Sequence, residues 1–339
     1  MARRPQLLLT LLTISLVGLF SSPFQQLCYL LRLPFIWNAS SAAAVISDEH
    51  DRFDVTFAAY EANSSTADAG HPSLIPPIVH HIHLGSRPPR PEWLEARETC
   101  LKHHTSWSSF IWNEESAEKL VREEFPHLYL MWKSYPYMIQ RVDALRYMVL
   151  QKHGGVVLDY DLACRRSLEP LRRFEFVAPA AHPAGLSIGM MLSSPGNPYI
   201  KALVDNLPPY NYRWFYIPYV TVMFSTGCHY ASTIYTLQSN RSPLRILSGP
   251  PDAPRMHMLN GQVDTPLFHH LGSSSWHNRD AWLISLFKNI NQRALFAILI
   301  LSLLAVTIMI LLCCVCRARG RSSDEEGSTS VPKSLTKSA

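Results

Sequence analysis

Apolar positions along the chain fall into three regimes. From Leu7 to Phe20 and again from Leu27 to Trp37 they crowd together, and from Ala294 to Cys316 they run for 23 residues without a charge. Between these stretches they are short and periodic. At 1.5 Å of rise per residue the last run is long enough to cross a hydrocarbon core of roughly 30 Å, so a transmembrane helix is expected over 294–316. Arg317, Arg319 and Arg321 follow it and predict a cytosolic tail over 317–339. Arg3 and Arg4 precede the first run, and no small-residue cleavage site directly follows Phe20, which predicts an uncleaved signal anchor within 1–37. Either end delivers the middle of the chain to a lumen.

The polar segment 38–74, rich in Ala, Ser, Asp and Asn, reads as a luminal stem. Periodicity begins at Ile75. IPPIVHHIH contains a short strand at Ile78-Val79; Pro91 opens a helix to about Lys102; Ser108–Trp112 reads as a strand and Glu114–Glu124 as a helix. Strand alternating with helix predicts an α/β domain with a mainly parallel sheet, extending to about residue 290.

Met138–His153 carries Ile139, Val142, Leu145, Val149 and Leu150 at helical spacing, with Arg146 inside that stripe and Asp143 at its edge. A charge on a packed stripe needs either a partner or a site to point into, and both alternatives remain open. Gly154-Gly155 stops the helix, and Val156-Val157-Leu158 then delivers Asp159-Tyr160-Asp161 at a strand's carboxyl end, where α/β sheets place ligands. Two such carboxylates suit a hard cation, Mn²⁺ or Mg²⁺, bridging to a diphosphate.

Composition narrows the class. The 339 residues are 47% hydrophobic and 17% charged, which excludes a wholly disordered chain or a collagen-like fibre. A net charge of +5 without a dense basic patch argues against nucleic acid as a partner. Asn38-Ala39-Ser40, Asn63-Ser64-Ser65 and Asn240-Arg241-Ser242 are glycosylation acceptors, in keeping with a luminal domain. Cys100, Cys164 and Cys228 allow one luminal disulfide, with its pairing open. His80, His81 and His83 cannot all share one face of a strand, which argues against a three-ligand zinc site. His269-His270 reads as solvated or partner-satisfied. The cluster of Trp214, Phe215, Tyr216 and Tyr219 reads as core or, less readily, as a membrane-facing lip.

The run from Ile139 to Leu171, IQRVDALRYMVLQKHGGVVLDYDLACRRSLEPL, resembles the signature of glycosyltransferase family 32, the DXD-containing sugar transferases. IPPIVHHIH, Tyr135-Pro136, the block Ile217–Gly227 and Ser275-Trp276-His277 resemble, in order, further blocks of its fungal inositol-phosphoceramide mannosyltransferase branch. This resemblance implies a GT-A-like fold, a nucleotide-sugar donor such as GDP-mannose, a divalent metal (Mn²⁺ first, Mg²⁺ second) and retention of anomeric configuration. It assigns Asp143 and Arg146 to the donor, Asp159 and Asp161 to the metal and the diphosphate, His277 to the metal, and His80 to the neighbourhood of the nucleotide. One block departs: where the family often has Ser-Asn-Asp, this chain has Ser187-Ile188-Gly189, without the carboxylate.

The expected activity is transfer of mannose to inositol-phosphoceramide by a membrane-integral enzyme at the Golgi, with room for a regulatory subunit. A mannosyltransferase acting on protein-linked glycans is one alternative. A non-catalytic partner that keeps the fold is another.

Overall fold

The computed structural model describes residues 21–64, 70–272 and 301–302. Contacts divide the chain into Met1–Trp282 and Leu283–Ala339, and only residues 301–302 of the second unit are among those described. His277, the run 294–316 apart from residues 301–302, and the tail 317–339 lie outside the described residues, as do residues 1–20.

The helices are α1 (Ser22–Ser41), α2 (Pro91–His103), α3 (Glu114–Glu124), α4 (Tyr129–Ser134), α5 (Met138–His153), α6 (Pro198–Asp205), α7 (Pro218–Ser225) and α8 (Cys228–Thr236), with single turns at Asp48–Asp51 and Leu207–Tyr210. The strands are β1 (Ile78–Ile82), β2 (Ser108–Trp112), β3 (Gly155–Leu158), β4 (Leu162–Cys164), β5 (Phe176–Pro179), β6 (Met190–Ser193), β7 (Leu244–Leu247), β8 (Val263–Asp264) and β9 (Phe268–His270). Local chemistry explains several boundaries. Pro91 occupies the first turn of α2, where its missing N–H is no loss. α3 opens with a reciprocal cap: the Ser116 N–H donates to Asn113 Oδ1 at 2.9 Å, and the Asn113 N–H donates to Ser116 Oγ at 2.9 Å.

Six strands form one sheet in the order β2-β1-β3-β6-β5-β7, and β6 alone runs against the rest. The architecture is therefore mixed α/β with a mainly parallel sheet. β4, β9 and β8 form a second, antiparallel sheet. Alternation along β3 sends Val157 into one apolar core, with α5 and α8, and Val156 and Leu158 into another, under β4. The Gly154-Gly155 turn between α5 and β3 admits no side chain. Both residues have positive φ, and a Cβ on Gly155 would lie 2.7 Å from the Ile78 carbonyl oxygen of β1.

Three expectations are corrected. The apolar stripe read along α5 is wider than one face: every residue from Asp143 to Leu150 is buried, because helices and the sheet enclose it, and the open positions lie at its ends, at Met138, Ile139 and Val142 and again at Gln151, Lys152 and His153. The segment 38–74 is not a stem. Ile46, Phe53, Val55 and Phe57 fill the second core, the Ile46 N–H donates to the Ile246 carbonyl of β7 at 2.9 Å, and Asp51 pairs with Arg245. Its polar average hid four well-placed apolar side chains.

The apolar run Leu27–Trp37, assigned above to a membrane anchor, packs on the domain as part of α1. Leu30, Leu33 and Trp37 are buried against it, each worth about 1.5–3 kcal/mol. Pro34 within α1 leaves the Leu30 carbonyl without its helical donor, and His229 Nε2 of α8 takes that place at 2.7 Å. Among the described residues no helix is long and apolar enough to cross a membrane. The three sequon asparagines are exposed.

Candidate donor and metal site

The D-x-D tripeptide is the link between the two sheets. Asp159 follows β3 directly and Asp161 precedes β4. The Asp159 N–H donates to the Gly189 carbonyl at 2.8 Å, and the Leu271 N–H donates to the Asp161 carbonyl at 2.9 Å, so the turn is held from both sides. Between the aspartates Tyr160 packs on His81 and His83, with ring centroids 5.1 and 5.8 Å away. A Cys100–Cys164 disulfide ties β4 to α2 three residues beyond Asp161.

Arg146 rises from the buried face of α5 to meet this turn. Its Nη2 lies 2.6 Å from Asp159 Oδ1, with the Arg146 side chain 2% exposed and that of Asp159 42%. The Arg146 Nε and Nη1 groups are buried without a hydrogen-bond partner among the described residues. Orphaned buried donors of this kind are expensive and rare in native structures. One turn earlier, Asp143 Oδ2 accepts from Thr226 Oγ1 at 3.1 Å.

Electrostatics follow from this crowding. Burial opposes charge on Arg146, but Asp159 and Asp143 outweigh it and hold the guanidinium firmly protonated. Burial pushes Asp143 up to about 7, reinforced by Asp159 and opposed by Arg146 and the Thr226 hydroxyl. Asp159 is also raised, first by desolvation in its concavity and then by the like charge of Asp161, against the pull of Arg146.

A pocket of about 160 Å³ collects these groups: Asp143, Arg146, Asp159 and Asp161 line it with Ile139, Ser187–Gly189, Met223, Cys228 and His270. Four of the six residues singled out from the sequence thus come together. His277 lies outside the described residues. His80 is placed elsewhere: it is buried in β1, receives the Trp112 Nε1–H on Nδ1 at 3.2 Å and gives its Nε2–H to the Gly154 carbonyl at 3.0 Å. Its role is to join β1, β2 and the Gly-Gly turn.

His270, read from the sequence as solvated or partner-satisfied, has its partner within the site. β9 pairs with β4 so that His270 faces Leu162, which brings its Nε2 to 3.3 Å from Asp161 Oδ2. Burial disfavours its charge, yet the hydrogen bond and charge of Asp161 win and raise its pKa above the ordinary value. Only the register of two short strands carries this signal.

The donor set suits a hard divalent cation. Among the described residues no three His, Cys, Asp or Glu side chains form a complete cage. Cations of this type do not need one, because one or two carboxylates suffice when substrate phosphates and water supply the other oxygens. The family departure at Ser187–Gly189 favours such a ligand: a Cβ on Gly189 would stand 3.0 Å from Asp159 Oδ2, so glycine keeps that oxygen approachable.

The sequence was compared with known families, curated proteins and solved structures. Residues 90–177 match the family described as a glycosyltransferase sugar-binding region containing a DXD motif. The chain is 32% identical over 234 residues to inositol phosphoceramide mannosyltransferase 3 of Schizosaccharomyces pombe, covering 67% of this chain and 62% of that one. It is 34% identical over 223 residues to the mannosyl phosphorylinositol ceramide synthase SUR1 of Saccharomyces cerevisiae, covering 64% and 56%. The chain thus spans about three fifths of the length of these relatives. Among solved structures, the PaToxG glycosyltransferase aligns with a TM-score of 0.35 at 14% identity, over 47% of this chain and 68% of that one, too distant to bear on the site. The matched stretch includes Asp159-Tyr160-Asp161, which has the spacing of a D-x-D motif.

Proposed function

We propose that the protein is a retaining mannosyltransferase that moves mannose from GDP-mannose to inositol-phosphoceramide, with its catalytic domain on the luminal side of a Golgi membrane. The observation that carries the reading is the buried Arg146 paired with Asp159 beside Asp161 and His270 in one pocket. Relatives bearing the names of inositol-phosphoceramide mannosyltransferases support the sugar and the acceptor. A Cys100–Cys164 disulfide supports an oxidising compartment.

Asp159 and Asp161 would hold the divalent cation, Mn²⁺ or Mg²⁺, with His270 positioning Asp161. When bound, the cation stabilises the negative charge that develops on the departing diphosphate. Arg146 fixes Asp159 in one orientation through Nη2 and brings to the pocket wall a preorganised positive charge that needs no rearrangement during reaction. Asp143, held by Thr226, accepts hydrogen bonds from sugar hydroxyls at the pocket wall. Acceptor attack on the face from which the diphosphate departs needs no further strong carboxylate base, since a phosphate oxygen is placed to take the acceptor proton. That matches Ser187–Gly189, which brings no carboxylate to the pocket.

The test is GDP-mannose turnover with inositol-phosphoceramide in membranes. Asp159→Asn and Asp161→Asn should each lower turnover about 10²–10³-fold, in the range of removing a principal transition-state charge stabiliser, with Asp161→Asn keeping its Tm within a few degrees of wild type and Asp159→Asn, which also removes the partner of Arg146, assayed below its own melting transition. Full turnover in the double variant overturns the metal and diphosphate assignment. Intact transfer to protein-linked glycans, with none to the lipid, overturns the acceptor.

A further inference from the structure

We propose that Tyr212–Ile217 is a membrane-interface wedge that seats the mouth of the pocket on a lipid bilayer. Phe215 is 58% exposed and Tyr216 86%, with Tyr212 and Ile217 also open to solvent. These side chains are displayed rather than left over. Phe215 and Tyr216 both adopt positive φ, 53° and 56°, a conformation rare for bulky residues and maintained here by what lies beneath. Trp214 is the base: it is buried, its Nε1–H donates to the Tyr210 carbonyl at 3.2 Å, and its ring meets Tyr212 and Phe224 edge-on.

Three observations select a bilayer as the occupant. The first is chemistry: aromatic residues with one polar end, flanked by the exposed Arg213, match the headgroup boundary, where Tyr and Trp concentrate and basic side chains meet lipid phosphates. The second is continuity. The wedge stands beside Tyr210, whose neighbours on α1 include Tyr29 and the exposed Arg32, and the chain preceding α1 is the fourteen-residue uncharged run Leu7–Phe20. The third is distance. Ile217 immediately precedes α7, whose Met223 lines the pocket six residues on, about 9 Å along the helix axis. A wedge in the interface therefore keeps this part of the pocket lining within about 9 Å of it along α7. That a lipid acceptor enters by this route rests on the mannosyltransferase reading; the seating itself does not.

The experiment uses the full chain reconstituted in phosphatidylcholine vesicles, with and without bromine on the acyl chains. Tyr216→Trp adds a ninth tryptophan to the eight of wild type, so its emission is read as the difference between the two proteins under identical conditions. Bromolipid should quench at least half of that added emission, and aqueous iodide should leave it nearly untouched; quenching by iodide and not by bromolipid overturns the wedge. Phe215→Ser/Tyr216→Ser, assayed in the same vesicles, should raise the KM for bilayer acceptor at least tenfold, while hydrolysis of the water-soluble donor stays within twofold. An unchanged acceptor KM sinks the route of entry. Absence of donor hydrolysis in wild type sinks the mannosyltransferase reading and leaves the fluorescence result standing.

Discussion

Two buried polar regions flank the same Gly-Gly turn, and they differ in how their hydrogen bonds close. On the β1 side, His80 has both ring nitrogens engaged, by Trp112 and Gly154. His104 does the same, taking the Leu168 N–H at 2.8 Å and giving its other N–H to the Cys100 carbonyl at 2.6 Å. Burial lowers both pKa values to about 4, so these imidazoles are neutral connectors. On the α5 side, Arg146 is as deeply buried but keeps two N–H groups unpaired and sits between two carboxylates. Burial of a titratable group is common to both regions. Among the described residues, unclosed donors on Arg146 belong to the region whose side chains line the pocket. His81, whose ring nitrogens are also unpartnered, lies under Tyr160 rather than in the pocket lining and supports the turn by ring contact.

Removing the charge at the centre of the open region should have the largest effect. Arg146→Ala leaves Asp143 and Asp159 as uncompensated neighbours, so stability should fall by about 3–5 kcal/mol, as when one partner of a buried pair is lost. Turnover should drop at least a hundredfold even below the melting transition. Denaturant midpoints and initial rates at 20 °C measure the two effects separately. A variant as stable as wild type would mean that Arg146 is not the counter-charge described here.

The two regions also respond to pH with opposite sign. Asp143 has its folded pKa raised to about 7 from an ordinary 3.8. Its contribution to stability is therefore complete below pH 3.8 and is lost as pH rises through 7. The histidines run the other way. His80, His104 and His257 are lowered to about 4 by burial, so their contribution is present above 6.5 and is lost as pH falls towards 4. Asp143→Asn should accordingly stabilise the protein at pH 8 by about 2–4 kcal/mol and by far less at pH 4, at one pKa unit per roughly 1.4 kcal/mol. Unfolding curves of the two proteins at both pH values test this, and a difference independent of pH would place Asp143 in a less buried environment.

Legibility in the sequence tracks the range of the interaction. α2, α3, α5, β1 and β2 are fixed by local signals, such as Pro91, the Asn113 cap and the Gly154-Gly155 stop, and were readable. Asp143, Arg146, Asp159 and Asp161 were readable because three of them lie on one helix face or at one strand end, and the motif supplies the rest. What escaped was set by pairing between distant segments. His270 reaches Asp161 through the register of β9 on β4, and Ile46 and Phe53 enter the core through contacts with β7 and its neighbours. α1 carries the apolar density of a membrane segment, yet Leu30, Leu33 and Trp37 find their burial against the domain. Composition cannot distinguish lipid from protein as the apolar environment.

The smallest effect bears on the closed region, and it separates connection from chemistry. His80→Phe preserves ring size and the contact with Phe110, whose centroid lies 5.9 Å away, but leaves the Gly154 carbonyl and the Trp112 N–H without their partner. Stability should fall by about 1–3 kcal/mol, the cost of leaving a buried group unsatisfied. The KM for the proposed donor, GDP-mannose, should stay within twofold, because His80 is absent from the pocket lining. A donor contact would give the reverse: a KM raised tenfold with little change in the denaturant midpoint. Should that reverse pattern appear, β1 would be part of the nucleotide site after all. With the expected result, β1 contributes only the placement of Gly155 beneath the D-x-D strand.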